Sequence, residues 1–520
     1  MEDDIHEECG IAAVFIAPDS PHKGKVVHYL YRLLLNMQNR GQLSAGITTY
    51  NPDREQLIDT YKNLGMVNEV FKTSFPLLSA KLYQKYSGDK GIGHVRYATC
   101  GKESQSYAQP FERHHGRKWK WFAFGFNGNI ANYSELRDNL LKKTDYHLVQ
   151  KVDTEILMHY IAREMGKTAR PPDPADVFSN LAEKLDGSYC IAFINADGHI
   201  IVARDPIGNR PLCYGEHEGV FMVASESNAL TNLGVSDVKD VPPGHLVQID
   251  GGKPRVIEFA KPKKLAHCMF EWVYFANVAS ELEGRSVYMS RTELGKELAK
   301  IETEKMTDDH VVVPVPDSAK SCGDAYAYAL GVPSMEGLIR NRFVGRTFIE
   351  SKDRLEKVRN KFTVIRKIVE GKKVMLVDDS IVRGTTTKSI VRFLKEFGRA
   401  KEVHIRVSCP PIMAPCFYGI DMSTVSELFA RKFSDDLLSD SQKPEVLKAM
   451  ADDIGAESII FQSVSGLVRS IQRPKEDLCL ACLNGQYCTA WGKKLYALAE
   501  KDKDVGGGCD SVRTYERSVQ

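Results

Sequence analysis

The sequence has no apolar run near the roughly 20 residues that a helix needs to cross a bilayer, so no membrane-spanning helix is expected. It also lacks a charge excess. Its 70 Lys and Arg stand against 68 Asp and Glu, leaving +2, so nothing global points to nucleic acid or an anionic membrane surface. Cysteine is sparse, at 12 in 520 residues, which is too few for a disulfide scaffold. The thiols are then expected as packing groups, nucleophiles or metal ligands. No internal repeat or long low-complexity tract is present. The opening Met-Glu-Asp-Asp-Ile-His-Glu-Glu is acidic and has no apolar core, unlike a secretory signal, and a cytoplasmic location is the expectation.

What is present is ordinary for a globular chain, with 43% hydrophobic and 27% charged residues, and the length suggests two to four domains. Up to about residue 260, short β-rich runs alternate with Gly, Asn and Pro. Gly10–Ile16, Gly91–Tyr97, Trp121–Phe126, Tyr189–Asn195, Ile200–Arg204 and Val220–Ser225 read as strands. Val26–Met37 and Thr154–Met165 carry helical spacing. Strands outnumber helices, which suggests two sheets with helices outside them. Gly251–Leu265, rich in Lys and Pro, reads as a linker or an exposed crossing. Beyond it, His310–Val315 and Lys373–Val377 are compact β-branched runs, each followed by a polar turn and a helical pattern. That alternation implies parallel strands with crossover helices. The last thirty or so residues, with Gly506–Gly508, read as a tail.

The sharpest local signal is Val374-Met-Leu-Val-Asp378-Asp379-Ser380-Ile-Val-Arg383-Gly384-Thr385-Thr386-Thr387. A buried strand delivers two carboxylates at its carboxyl end, where open α/β sheets bind ligands. The following loop and helix start offer N–H groups and hydroxyls suited to a phosphate monoester. Paired carboxylates suit vicinal ribose hydroxyls or Mg²⁺. An acidic turn with a threonine cap is the plainer alternative.

The segment resembles the phosphoribosyl-diphosphate (PRPP) signature of the type I phosphoribosyltransferases. That resemblance implies that Asp378 and Asp379 hold ribose and help with Mg²⁺, while Ser380 and Arg383–Thr387 cradle the 5-phosphate. Val313–Ser318 is similar to the family's pyrophosphate loop, which adds Ser318 as a Mg²⁺ ligand. Asn341–Ile349 is similar to its closing flap, which makes Arg342 and Arg346 PRPP contacts. A flap suits the chemistry, because a cationic ribosyl centre must be kept from water.

Near the start, Cys9 heads the apolar run Gly10–Ile16, where a lone Cys is more often a small core residue. Four further segments contain Gln38–Ile47, Gly93–Gly101, Phe126–Asn132 and Val152–Glu155. In this order, with Arg204–Leu212, they resemble the glutaminase domain of the N-terminal-nucleophile (class II) amidotransferases. The resemblance implies autocatalytic removal of residues 1–8 as a propeptide, which frees the Cys9 amine, of pKa about 7.7–8.0, as its own base. It makes Asn127 and Gly128 the oxyanion hole. It also makes Arg40, Arg96 and Asp153 glutamine ligands, with Arg96 on the α-carboxylate and Asp153 on the α-ammonium. Asn39, Leu43, Cys100 and Phe126 depart from the family's usual residues.

Cys479-Leu-Ala-Cys482 is a CxxC compatible with half a zinc site, a redox pair or neither. With Cys268 and Cys416 it is similar to the ligand set of the iron–sulfur-containing branch, which implies a [4Fe–4S] cluster on four thiolates. The remaining thiols, Cys488 among them, read as packing.

The two resemblances together imply an αββα glutaminase domain of α+β class over 9–262. An α/β transferase domain over 263–472 and a C-terminal segment over 473–520 would follow. Such an enzyme hydrolyses glutamine and passes ammonia to C1 of PRPP. It releases pyrophosphate and 5-phosphoribosylamine, the first committed step of purine biosynthesis. The resemblance also implies purine nucleotide inhibitors and a homotetramer or homodimer. Two rivals remain open here: an ammonia-dependent transferase with a decayed glutaminase, and a PRPP-binding regulatory protein.

Overall fold

The computed structural model describes residues 9–97, 104–143, 146–150, 152–262, 264–341, 361–420, 422, 424–437, 440 and 442–501. Arg342 and Arg346, Cys100 and Met1–Glu8 lie outside the described residues.

The Gly10–Ile16 strand shows why the first half is a four-layer stack. Successive side chains point to opposite faces of a strand. Ile11, Ala13 and Phe15 enter a core between two sheets, whereas Ala12, Val14 and Ile16 enter one beneath the helix Val26–Asn36. Both faces are apolar, so the run is continuous instead of alternating. One antiparallel sheet has the order Lys239–Asp240, Cys213–His217, Val220–Ala224, Gly10–Ile16, Lys90–Arg96, Ser44–Tyr50, Ile58–Leu64. The other runs Arg255–Glu258, His245–Ile249, Ile200–Arg204, Gly187–Asn195, Phe122–Ile130, Phe111–Arg113. The helices Tyr133–Lys143, Asp153–Gly166 and Pro174–Ala182 cover this second sheet through Leu140, Ile161 and Phe178. The expected two sheets with helices outside are present.

The second half is built on four parallel strands in the order His310–Pro314, Lys373–Asp378, Glu402–Val407, Ser458–Phe461. Helices such as Lys320–Leu330 and Thr385–Glu396 complete the α/β domain. Two expectations need correcting. Gly251–Leu265 is not simply a linker, because Arg255–Glu258 forms the edge strand paired with His245–Ile249. The chain stays on the first domain beyond it: the Ala266 and Cys268 amides donate to the carbonyls of Ile207 and Asn209 at 2.8 and 3.1 Å. Nor is the end all tail. Ala490–Lys501 is a helix with Leu495 fully buried, in a core shared with Ala131, Phe417 and Tyr487. The Trp491 amide donates to Asp186 Oδ2 at 3.1 Å, and Arg431 binds Glu500 at 3.0 Å, so this helix joins both halves. Among the described residues, no helix is long and apolar enough to cross a membrane.

Candidate active sites and the cavity between them

Cys9 directly precedes the Gly10–Ile16 strand, whose neighbour Lys90–Arg96 runs antiparallel with Gly10 opposite Val95. The nucleophile candidate therefore lies beside Arg96 in the middle of the sheet, where these two strands end. His94, fully buried, donates from Nε2 to the Phe126 carbonyl at 3.0 Å and ties this sheet to the Phe122–Ile130 strand. Burial and its cationic neighbours lower its pKa to about 3, so the ring is a neutral structural donor. Gln109 Oε1 accepts from the Phe126 amide at 2.8 Å. Between them, these side chains satisfy a strand edge that no neighbouring strand covers.

Asn127 and Gly128 follow at once. Asn127 is 1% exposed, and its Nδ2 is a buried donor with no hydrogen-bond partner among the described residues. Such a group is costly unless a ligand uses it, which suits an oxyanion donor. Gly128 has φ +149°, and a Cβ there would lie 2.0 Å from the Ser188 carbonyl oxygen. Only glycine fits. Asp153 is partly exposed at the first turn of its helix, the end expected to carry an acid.

The other site forms where the Lys373–Asp378 strand ends. Asp378 and Asp379 are both buried, and burial raises both carboxyls above the ordinary range. Asp378 Oδ1 accepts from the Asp379 amide at 2.9 Å, Ser380 Oγ donates to Asp379 Oδ1 at 2.6 Å, and Ser318 Oγ donates to Asp379 Oδ2. Gly384, at φ +80°, precedes the Thr385–Glu396 helix and packs against Phe429, where a Cβ would come within 2.6 Å. Thr386 and Thr387 face the same cavity as the carboxylates. Arg383 does not, because its Nη2 donates to Glu427 at 2.9 Å, and Thr385 is absent from the lining.

A single cavity of about 430 Å³ runs between the halves. Asn39, Arg40, Gln42 and Tyr97 line it from the first domain, and Ser318, Asp378, Asp379 and Ser380 from the second. The segment Tyr274–Val278 lies between those two sets in the chain and also faces the cavity. Arg40 differs from its expected role as a glutamine ligand. Its guanidinium is held by Glu226 at 2.6 Å and by Glu271 at 2.8 Å, all three side chains inaccessible or nearly so. A Cβ on Gly10 would sit 3.5 Å from Arg40 Cδ, so this buried pair abuts the Cys9 end of the site. Asn39, one of the unusual residues, donates to Glu226 at 2.8 Å and to the Phe275 carbonyl at 3.2 Å. Sequence reasoning missed Glu226 and Glu271; a Glu inside the apolar run Cys268-Met-Phe-Glu-Trp-Val was the available signal.

Cys268 and Cys479 face one another across a parallel bridge. Together with Cys416, Cys482, Arg210 and Tyr487 they line one small pocket, of about 20 Å³. Burial pushes the Cys268 thiol up to about 12 and raises Cys416 and Cys482, while Cys479 is raised first by its hydrogen bond with Cys488 and then by burial. Among the described residues, no His, Cys, Asp or Glu group converges on a point where a single metal ion would sit. The four thiols line the same pocket, a soft donor set that suits an iron–sulfur centre and equally a four-thiolate zinc site. Cys488, expected as packing, hydrogen-bonds the Cys479 thiol.

A glutamine amidotransferase domain family matches residues 94–232, and a phosphoribosyl transferase domain family matches 290–414. The chain is 36% identical to the amidophosphoribosyltransferase of Methanothermobacter thermautotrophicus, over 94% of its own length and 96% of that protein. With the Methanocaldococcus jannaschii enzyme of the same name it is 38% identical, over 92% and 98%. This chain belongs to the amidophosphoribosyltransferases. The solved Bacillus subtilis glutamine PRPP amidotransferase, in complex with ADP and GMP, matches 98% of the chain and 100% of its own at 32% identity, with a TM-score of 0.80. The protein is therefore a transferase that joins a glutamine amidotransferase domain to a phosphoribosyltransferase domain, and it serves the first step of purine biosynthesis.

Proposed function

We propose that glutamine is hydrolysed at Cys9, after removal of Met1–Glu8, and that the ammonia crosses the 430 Å³ cavity to attack C1 of PRPP. Water and glutamine give glutamate and ammonia. Ammonia and PRPP give 5-phosphoribosylamine and pyrophosphate. The observation that carries this reading is the shared lining, Arg40 and Tyr97 on one side and Asp378 and Asp379 on the other. The Cys9 amine takes the thiol proton, the thiolate attacks the amide carbon, and Asn127 Nδ2 with the Gly128 amide receives the oxyanion. Arg96 holds the substrate α-carboxylate and Asp153 its α-ammonium. Arg40 acts beneath the site through its buried ion pairs.

At the second centre, Asp378 and Asp379 accept from the ribose hydroxyls. Ser380, Gly384, Thr386 and Thr387 receive the 5-phosphate, with Arg342 and Arg346 from the flap segment closing on the pyrophosphate. Asp378, Asp379 and Ser318 offer hard oxygens that suit Mg²⁺, which supplies charge neutralisation for the departing pyrophosphate. Cys268, Cys416, Cys479 and Cys482 hold a [4Fe–4S] cluster whose role is structural, pinning the C-terminal segment against both halves. Purine nucleotides inhibit, as ADP and GMP bound to the Bacillus subtilis protein suggest. The enzyme works in the cytoplasm as a homotetramer or homodimer.

The test is isotopic. Glutamine labelled in the amide nitrogen is supplied with PRPP and excess unlabelled ammonia. Retention of label in the product is expected, whereas dilution to the level of the bulk ammonia would overturn passage through the cavity.

A further inference from the structure

Two carbonyls of the segment that faces the cavity, and one just before it, meet on one guanidinium. Glu271–Phe275 is a π-helix, a wide turn that leaves its last carbonyls without regular partners. Arg291, on the facing helix Val287–Lys300, donates from Nε to the Trp272 carbonyl at 2.9 Å. From Nη2 it donates to the carbonyls of Tyr274 at 2.9 Å and Ala276 at 2.8 Å. The side chain is 4% exposed, and it too lines the cavity.

A buried arginine normally sits in an ion pair, because an unpaired buried charge is expensive. Arg40, Arg204 and Arg406 each have one, to Glu271, Glu283 and Glu302. Among the described residues, no carboxylate lies in ion-pair contact with Arg291; Asp379, Glu226 and Glu271 act on it only through their fields. Three neutral carbonyls recover part of that cost, so the arrangement is poorly explained as a device for stability alone. The other side of the segment is held from the first domain. Asn39 binds the Phe275 carbonyl, the Asn277 amide donates to Glu226 Oε2 at 2.9 Å, and Ser280 Oγ donates to the same oxygen at 3.0 Å. The segment is thus suspended between the glutaminase domain and one arginine of the transferase domain.

We propose that Arg291 is a positioning residue that holds Tyr274–Asn277 as the wall of the passage, so that ammonia made at Cys9 is delivered and not lost. This rests on the passage proposed above. The guanidinium matters for its three-pronged donor geometry, which an ammonium at the same place cannot reproduce.

The experiment compares Arg291→Met and Arg291→Lys with the parent enzyme. In each, glutamate and 5-phosphoribosylamine are counted in the glutamine reaction, and ammonia-dependent synthesis is measured at saturating ammonia. The parent is expected to give a product ratio near one, and a parent ratio far from one would condemn the passage itself, independently of Arg291. Arg291→Met is expected to release severalfold more glutamate than phosphoribosylamine while keeping glutaminase and ammonia-dependent rates within about threefold. Arg291→Lys is expected to leak to a lesser degree. Should Arg291→Met fail to fold, the Arg291→Lys ratio decides. A ratio that stays at one in the folded variants, or a parallel fall of all three rates, overturns the assignment.

Discussion

Arg40 and Glu271 form an ion pair across the boundary between the two domains, 2.8 Å from Nη2 to Oε2, with side chains 0% and 2% exposed. Two charges withdrawn from water in this way specify alignment more than they stabilise, but removing one partner strands the other. Glu271→Ala is expected to cost about 3–5 kcal/mol of unfolding free energy, read as a drop in urea midpoint. A change within about 0.5 kcal/mol would mean that Glu226 alone satisfies the guanidinium.

Cys9→Ala should abolish glutamine-dependent synthesis and leave synthesis from ammonia intact, since the carboxylate pair lies in the other domain. N-terminal sequencing of the active enzyme should begin at Cys9. An active chain that still carries Met1 would remove the terminal amine from the mechanism.

Asn127→Ala is expected to lower glutaminase kcat by about 10²–10³ with KM little changed, because the donor is needed only when charge develops on the oxygen. A variant raised only in KM would recast Asn127 as a ground-state ligand.

Burial raises the Asp378 carboxyl pKa, with the adjacent Asp379 adding to the effect. A folded-state pKa above the unfolded value means that the native protein binds more protons than the unfolded chain. Stability then falls as pH rises from the ordinary carboxylate range through the raised value. Asp378→Asn should therefore stabilise the ligand-free protein at pH 7, while synthesis from both nitrogen sources collapses. It should also flatten the pH dependence of stability above the ordinary carboxylate range. Thermal unfolding across that range, beside rate assays with glutamine and with ammonia, checks both halves of the statement.

Single Ser substitutions at Cys268, Cys416, Cys479 and Cys482 should behave alike, losing brown colour, iron and sulfide together. Cys488→Ser should keep iron and sulfide near parent levels, since four other thiols remain. Analysis after anaerobic purification decides, and an active enzyme free of iron and sulfide would end the cluster assignment.

Much of this was legible in the sequence because each domain announces itself locally. Ile200–Arg204 matches its strand to the residue, and Asp378 stands at a strand end, where the β-branched run and the following glycine place it. Glu271 and Glu226 were not legible, because their partners come from far along the chain and no local pattern records a pairing across 231 residues. The Arg255–Glu258 strand hid for a different reason. An edge strand of four residues, with only Ile257 half-buried, is too short to show apolar alternation, so its lysine- and proline-rich surroundings read as a crossing. Arg383 looked like part of a phosphate cradle from its place in the motif, and only the fold shows Glu427 taking its guanidinium.

The bridge between Cys268 and Cys479 sets the entry and exit of the transferase domain side by side, with the whole domain strung between them. A load applied at that entry and exit would travel through this neck and bypass the four-stranded sheet. Pulled at its entry and exit, the transferase domain should feel tension only after this neck has parted. Anything that strengthens the neck would act as a mechanical fuse rating for the domain behind it.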